Sequence, residues 1–147
     1  MIKIIAVGKI NQKAILDHIH YYLKQCPIKI EIIEVLDEAH EQGKHTEGER
    51  ILSKIKPSDE VVVLAIQGKM YSSEDFAKWL DEKMTYTQKD IVFVIGGSYG
   101  LSDAVYERAQ MRLSFSLMTF PHQLMRLLLI EQIYRGLMIL RHHPYHK

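Results

Sequence analysis

Short apolar runs alternate with segments of helical periodicity along the chain, and this pattern predicts the order of its elements. Runs that are apolar on both faces and rich in Val and Ile are typical of strands buried in a parallel sheet. Five strands are predicted, at residues 2–7, 28–35, 60–66, 91–95 and 112–117. Helices are predicted at residues 11–25, 47–55, 73–84, 102–109 and 122–141. The alternation indicates an α/β fold in which helices cover both faces of one parallel sheet.

Polar residues at helix starts and one proline define several of these boundaries. Asn11, Ser73 and Ser102 each stand where a side-chain oxygen can cap the first turn of a helix. Pro57 closes the second helix, because proline cannot continue it. No internal repeat, low-complexity stretch or linker interrupts the pattern, and 147 residues are enough for one buried core. We therefore expect one domain over residues 1–147.

The last predicted helix, HQLMRLLLIEQIYRGLMILR, is apolar around most of its circumference. A helix with such a surface must be buried on more than one side. Since a sheet covers only one side, the pattern favours a homodimer in which a second copy covers another. The alternative is an ordinary core helix with a broad apolar stripe.

The composition excludes some classes of protein. No apolar stretch is long enough for a membrane span, and the opening MIKIIAVGKI is typical of a strand rather than of a signal peptide. The single cysteine, Cys26, excludes an internal disulfide framework and fits a reducing cytoplasm. Because Cys26 has no basic or histidine neighbour, we expect a packing residue rather than a reactive thiol.

Charge is distributed unevenly along the chain. Residues 1–103 carry 13 Lys and Arg against 16 Asp and Glu, whereas residues 104–147 carry 6 against 2. The last third also holds four of the eight histidines. This local basic character favours a site for a phosphate-bearing partner. The formal net charge of +1 is too small for a general nucleic-acid coating.

Unusual loops follow three of the predicted strands. They are LAIQGKMYSSE, VIGGSYGLS and SLMTFPHQ. Ligands of open α/β sheets bind outside the carboxyl ends of the strands, so these loops predict a nucleotide-like ligand. The glycine pair has the wrong spacing and position for a dinucleotide-binding fingerprint, and no P-loop is present. The alternative for the glycine pair is a tight strand-to-helix turn.

Several motifs in a fixed order, dense after residue 60, carry a resemblance to a known family. They are LAIQGK, FVIGGSYGL, LSFSLMTFPHQLMR, IEQIYR and the tail HPYHK. Together they resemble the SPOUT-class ribosomal RNA pseudouridine N3-methyltransferases, whose bacterial members act on the large-subunit (23S) RNA. The resemblance covers nearly the whole chain. It implies a homodimeric enzyme with a parallel sheet and a deep C-terminal trefoil knot, a rare exception to unknotted chains.

The resemblance also implies S-adenosylmethionine as the cofactor, bound in loops of the knot. Backbone groups would hydrogen-bond the adenine edge, and apolar side chains would cover its faces. The knot would pass the last residues of the chain back over the cofactor. The cofactor-binding residues so implied are Leu64, Gly96, Gly97, Ser116, Leu117, Met118, Thr119, Phe120 and Pro121.

Methyl transfer to the N3 imide of pseudouridine needs positioning and a partner for the developing anion. His122, at the start of the last helix, is a candidate, and a helix-terminal hydrogen bond explains it equally well. The resemblance implies that Arg135 reaches the RNA or the partner subunit's site. The alternative role for Arg135 is an i,i+4 ion pair with Glu131. Tyr145 would supply a stacking or hydrogen-bonding ring, and Lys147 a phosphate contact.

The histidines of the tail RHHPYHK raise a metal-binding alternative. His143 and His146 have a spacing that could hold a zinc ion, with His142 beside them. However, no carboxylate or cysteine lies nearby in the sequence, and Pro144 breaks the helix that would align the ring nitrogens. We expect no native metal site.

Two features depart from the family pattern. The segment of residues 37–49 is shorter than in family members, which usually have a longer charged helix there. This difference affects the contacts that the rim of the site would make with RNA or the ribosome. Tyr99 stands in the glycine loop where Asn or Glu is expected. Two other functions stay open: a methyltransferase of the same architecture acting on tRNA, and a ribosome-associated nucleotide-binding module without catalysis. The low net charge and the lack of an appended RNA-binding domain favour a large preformed partner, such as the assembled ribosome.

Overall fold

A five-stranded sheet with every strand parallel to its neighbours organises the chain. The computed structural model describes residues 1–147. The strand order is β2-β1-β4-β3-β5. The strands are β1 (Ile2–Val7), β2 (Ile30–Val35), β3 (Glu60–Met70), β4 (Ile91–Ile95) and β5 (Met111–Ser114). The helices are α1 (Lys13–Gln25), α2 (Lys44–Leu52), α3 (Ser73–Asp81), α4 (Asp103–Arg108) and α5 (His122–Leu140). The predicted α/β fold with a parallel sheet is confirmed.

Helices cover both faces of the sheet. Side chains alternate between the faces along each strand, and the buried strands are apolar at nearly every position, so both faces need cover. In β4, Phe93 packs on one face in the larger core, with side chains of α1, α3 and α5. Val92 and Val94 pack on the other face in a smaller core, with Ile51 of α2 and Val105 of α4. Near-continuous apolar strands are thus explained by burial on both sides.

The long helix α5 is buried by its own chain on several sides. It packs against α1, α3 and β4, and no residue from His122 to Leu140 is fully exposed. Three neighbouring elements of the same chain therefore cover much of the apolar circumference of α5. The sequence had predicted that one sheet face and a second subunit would cover it. The all-round apolar surface does not by itself require a dimer. A partly exposed stripe does remain, and it consists of Leu124, Leu128, Glu131, Gln132, Arg135 and Ile139.

Several element boundaries differ from the predicted ones. α1 begins at Lys13, and Asn11 does not cap it, because Asn11 exchanges hydrogen bonds with Gln123 of α5. Ser72, not Ser73, caps α3 by accepting a hydrogen bond from the Asp75 amide at 3.1 Å. The other corrections are a β2 that starts two residues later than predicted, an α2 shifted to Lys44–Leu52, and an α5 that ends at Leu140. α3 ends at Asp81, but a π-helical segment over Glu82–Tyr86 continues it past the predicted end at residue 84.

Further corrections concern α4 and the two strands beside it. Ser102 occupies the N-cap position of α4, yet its buried hydroxyl makes no capping bond. β3 runs four residues further than predicted, because it continues to pair with β5 beyond an irregularity between Leu64 and Lys69. β5 itself is shorter and ends at Ser114.

No helix in the structure is long and apolar enough to cross a membrane.

Candidate active site

A cavity of about 520 Å³ lies beside the irregular stretch of β3 at residues 64–67, between the loops that follow β4 and β5 and the first turn of α5. This volume is in the range of small-molecule and cofactor sites. Residues of the three segments singled out in the sequence therefore meet at one place, although the first segment is not a loop there and continues β3 to Met70. Eight predicted site residues line the cavity: Leu64, Gly96, Gly97, Ser116, Met118, Thr119, Phe120 and His122. Leu117 and Pro121 do not line it, although both belong to the loop between β5 and α5.

The glycine pair after β4 forms a tight turn at one wall of the cavity. Gly100 has φ +82° and its amide donates to the Gly97 carbonyl at 3.1 Å. A Cβ atom added to Gly97 would lie 3.0 Å from Cγ1 of Val7, tighter than ordinary contacts. The glycines thus form the predicted turn and also border the cavity, and their contact with a ligand stays a prediction. Tyr99, the departure from the family pattern, donates from its hydroxyl to the Ala39 carbonyl at 3.2 Å.

The loop between β5 and α5 presents apolar side chains at the mouth of the cavity. Its backbone is fixed by Ser114, whose hydroxyl donates to the Ser116 carbonyl at 3.0 Å, and by the Met118 amide, which donates to the Ser116 hydroxyl at 3.0 Å. Leu117 and Met118 are each 73% exposed. Exposed apolar side chains at a pocket mouth are typical of ligand-binding surfaces.

The amino-terminal turn of α5, which carries His122, is tied to the loop after β1. Gln123 exchanges hydrogen bonds with Asn11. Arg126 is only 3% exposed, pairs with Glu34 of β2 at 2.6 Å and donates to the Gly8 carbonyl at 3.1 Å. Sequence reasoning missed Arg126 as a support of the site. The available signal was an arginine within a strongly apolar helix, which requires a specific partner when buried.

The tail docks on α1, α3 and α5 through a network of polar contacts. The Tyr145 hydroxyl donates to Oε1 of Glu131 at 3.0 Å and lies 3.2 Å from the Tyr22 hydroxyl. Burial first, and then these hydrogen bonds, raise the pKa of Tyr145 above its ordinary value, so the hydroxyl stays protonated. His146 places Nε2 2.7 Å from Oε1 of Glu74 and Nδ1 3.0 Å from Arg135.

The structure separates Arg135 and the tail from the cavity of the same chain. Arg135 follows His122 by thirteen residues of continuous helix, a separation of about 20 Å at 1.5 Å per residue. Neither Arg135, Tyr145 nor Lys147 lines the cavity. Within one chain the tail therefore does not border this cavity, because unbroken α5 separates the two. The place of the tail over a cofactor stays a prediction.

The local alternative for Arg135 is present in the structure. Its Nε and a terminal guanidinium nitrogen donate to Oε1 of Glu131 at 2.9 and 2.6 Å. The hydrogen bond from Arg135 to Glu131 is the main cause that raises the pKa of the guanidinium. Arg135 also lies over the ring of Tyr145, with its guanidinium carbon 4.8 Å from the ring centroid. A single pair in α5 therefore organises the tail.

The tail histidines are engaged with protein groups. Nδ1 of His143 accepts from the Tyr145 amide at 3.2 Å, and both ring nitrogens of His146 have protein partners. No group of three or more His, Cys, Asp or Glu side chains is arranged to hold a metal ion. Cys26 packs against the larger core, where burial raises the pKa of its thiol to about 11. A thiol protonated at neutral pH fits a packing role.

Comparison with known proteins shows a likeness that covers nearly the whole chain, not only the residues of the cavity. A family model described as "Predicted SPOUT methyltransferase" matches residues 1–146. Proteins named "Ribosomal RNA large subunit methyltransferase H" from Acholeplasma laidlawii, Bacillus pumilus and Latilactobacillus sakei are 52%, 53% and 50% identical to this chain. Each comparison covers 99% of both chains. The loops that meet at the cavity are thus part of a likeness that runs from end to end, and the chain belongs to the SPOUT methyltransferase family.

Proposed function

We propose that this protein is an S-adenosylmethionine-dependent methyltransferase that modifies N3 of a pseudouridine in large-subunit ribosomal RNA. The observation that carries the proposal is the cavity formed by residues of β3 and by the loops after β4 and β5, in a chain whose full-length relatives are named as large-subunit ribosomal RNA methyltransferases. One domain over residues 1–147, with the C-terminal trefoil knot of the family, acts in the cytoplasm on the assembled ribosome.

The cavity fits the cofactor in size and in the character of its walls. Leu64, Met118 and Phe120 provide apolar surface for the faces of a purine, and the turn at Gly96 and Gly97 brings backbone close to its edge. Leu117, exposed beside the mouth, is available to cover the bound molecule. When bound, S-adenosylmethionine supplies an activated methyl group to the nucleophile.

His122 is, with Tyr106 and Arg112, one of the titratable side chains that line the cavity. It lines the cavity from the first turn of α5, which Gln123 and Arg126 hold in place. We assign it the positioning of the N3 imide and the stabilisation of negative charge that develops there when the proton leaves. Such a group must lie within hydrogen-bond reach of the reacting atom, and the cavity lining provides that access.

A second copy of the chain would bring the tail to the active site. The exposed stripe of α5 is apolar near its start, at Leu124 and Leu128, and polar further on, at Glu131 and Arg135. In a two-fold pair of antiparallel α5 helices, the polar half of one helix lies against the amino-terminal half of the other. The tail that Arg135 organises, with Tyr145 and Lys147, would then approach the cavity of the partner.

The proposed substrate is tested by mass spectrometry of ribosomal RNA from cells lacking this chain. We expect one large-subunit pseudouridine to lose its methyl group, and purified protein with S-adenosylmethionine to restore it on isolated ribosomes. A methyl group lost from tRNA instead, or no change in any RNA, would favour one of the alternatives left open by the sequence. The names of the relatives do not favour either alternative.

Calorimetry should show that the folded protein binds S-adenosylmethionine and that Gly97→Val weakens the binding at least about 10-fold, a change of roughly 1.4 kcal/mol. The valine Cβ would press on Val7 and displace the loop that borders the cavity. Tyr99→Phe is the control, since it removes only the hydrogen bond to Ala39 and should change the affinity less than about 2-fold. Absence of binding by the unaltered protein would contradict the cofactor assignment.

Light scattering should give the mass of a dimer at micromolar concentration. Leu128→Glu, on the exposed stripe of α5, should shift the protein toward monomer, because it buries a carboxylate in the proposed interface. Leu36→Glu is the matched control, since Leu36 is 68% exposed just after β2 and away from that stripe. A monomeric unaltered protein, or equal effects of the two substitutions, would count against this interface.

A further inference from the structure

Arg112 and Arg141 are the two arginines whose side chains have no polar partner within the chain, and of these two only Arg112 lies at the cavity. Of the six arginines, Arg50, Arg108, Arg126 and Arg135 all donate hydrogen bonds to carboxylates, side-chain amides or carbonyls. The guanidinium of Arg112 instead lies over the ring of Tyr106, with its carbon 4.4 Å from the ring centroid. It makes no hydrogen bond or ion pair within the chain, and it lines the rim of the cavity.

Local structure holds this side chain at both ends. Along β5, Leu113 points into the larger core, so its neighbour Arg112 points to the opposite face, where α4 presents Tyr106. Tyr106 packs against the smaller core, which fixes its ring. The backbone of Arg112 lies so close to β3 that a Cβ on Gly68 would come within 2.7 Å of its carbonyl group. The stack is therefore a preorganised feature of the fold.

A stacked guanidinium with free N–H groups is suited to bind an oxyanion. The side chain is exposed and its N–H donors have no partner within the chain, so the planar fork of donors is available to an oxyanion. The acidic side chains of α4, Asp103 and Glu107, form no ion pair with it. An exposed arginine at the rim can be reached by a large ligand from solvent, whereas the walls deeper in the cavity are mainly apolar.

We propose that Arg112, held by Tyr106, binds a backbone phosphate of the RNA and thereby positions the target nucleotide at the cavity. This inference rests on the proposed function and adds to it a specific RNA contact. Phosphate is the oxyanion that any RNA brings to the rim. The other oxyanion available at the site is the carboxylate of the cofactor, and the experiment separates the two.

Arg112→Gln is tested by binding to ribosomes purified from cells lacking this chain, over a range of salt concentrations. We expect the affinity to fall about 5-fold to 10-fold and the slope of log K against log salt to become smaller by about 0.7 to 0.9, as for one lost phosphate contact. The KM for ribosomes should rise by a similar factor, with kcat within about 2-fold. Cofactor affinity, measured by calorimetry, should not change.

Two further sets of variants complete the test. Lys29→Gln removes the same charge from an exposed residue just before β2, at the opposite edge of the sheet, and should leave the affinity within about 2-fold. Tyr106→Phe keeps the ring and should resemble the unaltered protein. Tyr106→Leu removes the ring and should give part of the Arg112→Gln effect on affinity, since the guanidinium is no longer held.

Two outcomes would overturn the inference. If Arg112→Gln weakens cofactor binding and leaves ribosome binding unchanged, the guanidinium binds the cofactor's carboxylate instead. If neither affinity changes, Arg112 is only a surface residue. Failure of the unaltered protein to methylate ribosomes would count against the proposed function alone, because the salt dependence is measured by binding and remains informative without turnover.

Discussion

Deleting residues 144–147 is expected to reduce methyl transfer to ribosomes by about 100-fold or more while leaving a folded protein that still binds S-adenosylmethionine. Loss of a group that positions a reactant has an effect of this size. The cavity contains no residue of the tail, so cofactor affinity should stay within about 2-fold. Single-turnover transfer to isolated ribosomes and calorimetry measure the two quantities separately.

A mixed-dimer experiment tests whether the tail acts in the partner's site. Chains that carry Gly97→Val have a damaged cavity and an intact tail, whereas truncated chains have the reverse. We expect activity to return when the two are co-expressed, because one site of the mixed dimer combines an intact cavity with the other chain's tail. If the tail served the cavity of its own chain, or no cavity at all, mixing would restore nothing.

Point substitutions then assign the roles within the tail. Tyr145→Phe keeps the ring beside Arg135 and removes the hydrogen bond to Glu131, so a loss of transfer would identify the hydroxyl as the required group. Lys147→Ala should lower RNA affinity and weaken its salt dependence. If the tail instead bound a metal ion, a chelator would have the same effect as the truncation, and the double substitution His143→Ala, His146→Ala would abolish activity. In a merely solvated tail, truncation would leave transfer unchanged.

Strands were the part of the fold that the sequence predicted best. β1 and β4 match the predicted residues at both ends, because each is a short apolar run bounded by polar residues or glycine. β3 was predicted too short. Its last residues include Gln67 and Lys69, which are polar, and they are strand only because β5 pairs with them across an irregularity. Pairing between distant segments is not visible in the periodicity of one of them.

Helix starts were less predictable, since capping residues have competing partners. Asn11 is a favourable N-cap by type, yet its side chain bonds Gln123, which is 112 residues away in sequence. Ser73 likewise donates to Gln132 of α5 at 2.8 Å and leaves the cap to Ser72. In both places a tertiary hydrogen bond overrides the local preference.

The candidate site was predictable as far as strand ends determine it. Parallel strands bring the middle of the long strand β3 and the loops after β4 and β5 together, which explains why eight of the predicted residues meet around one cavity. The place of the tail within the chain is set instead by the direction of α5, and its predicted place at a cavity depends on the proposed second copy of the chain. Arg126 and Arg112 were missed because their partners, Glu34 and Tyr106, are neighbours only in the folded molecule.

Glu34→Ala is expected to lower the free energy of unfolding by about 2 to 3 kcal/mol, the largest stability effect we predict for a single polar residue. Removing one partner of a buried ion pair typically costs about 3 to 5 kcal/mol, because the other charge is left without compensation. The value is reduced here because the Glu34 side chain is 38% exposed, although Arg126 is almost completely buried. Only the Gly8 carbonyl would then accept from the guanidinium.

Urea unfolding followed by the fluorescence of Trp79, at one fixed protein concentration, measures this effect. Glu31→Ala on the same strand is the matched control, since Glu31 has no ion pair, and it should cost less than about 0.5 kcal/mol. Arg126→Met should be less destabilising than Glu34→Ala, because it removes the buried charge itself and fills the site with an apolar side chain.

Glu34→Ala should also affect the active site, because Arg126 belongs to α5. Arg126 lies one turn after His122, so freeing its guanidinium from Glu34 loosens the turn that borders the cavity. Glu34→Ala should therefore weaken cofactor binding several-fold under conditions where the protein remains folded, and Glu31→Ala should not. Equal unfolding free energies for the two variants would show that the Arg126–Glu34 pair does not hold α5 in place.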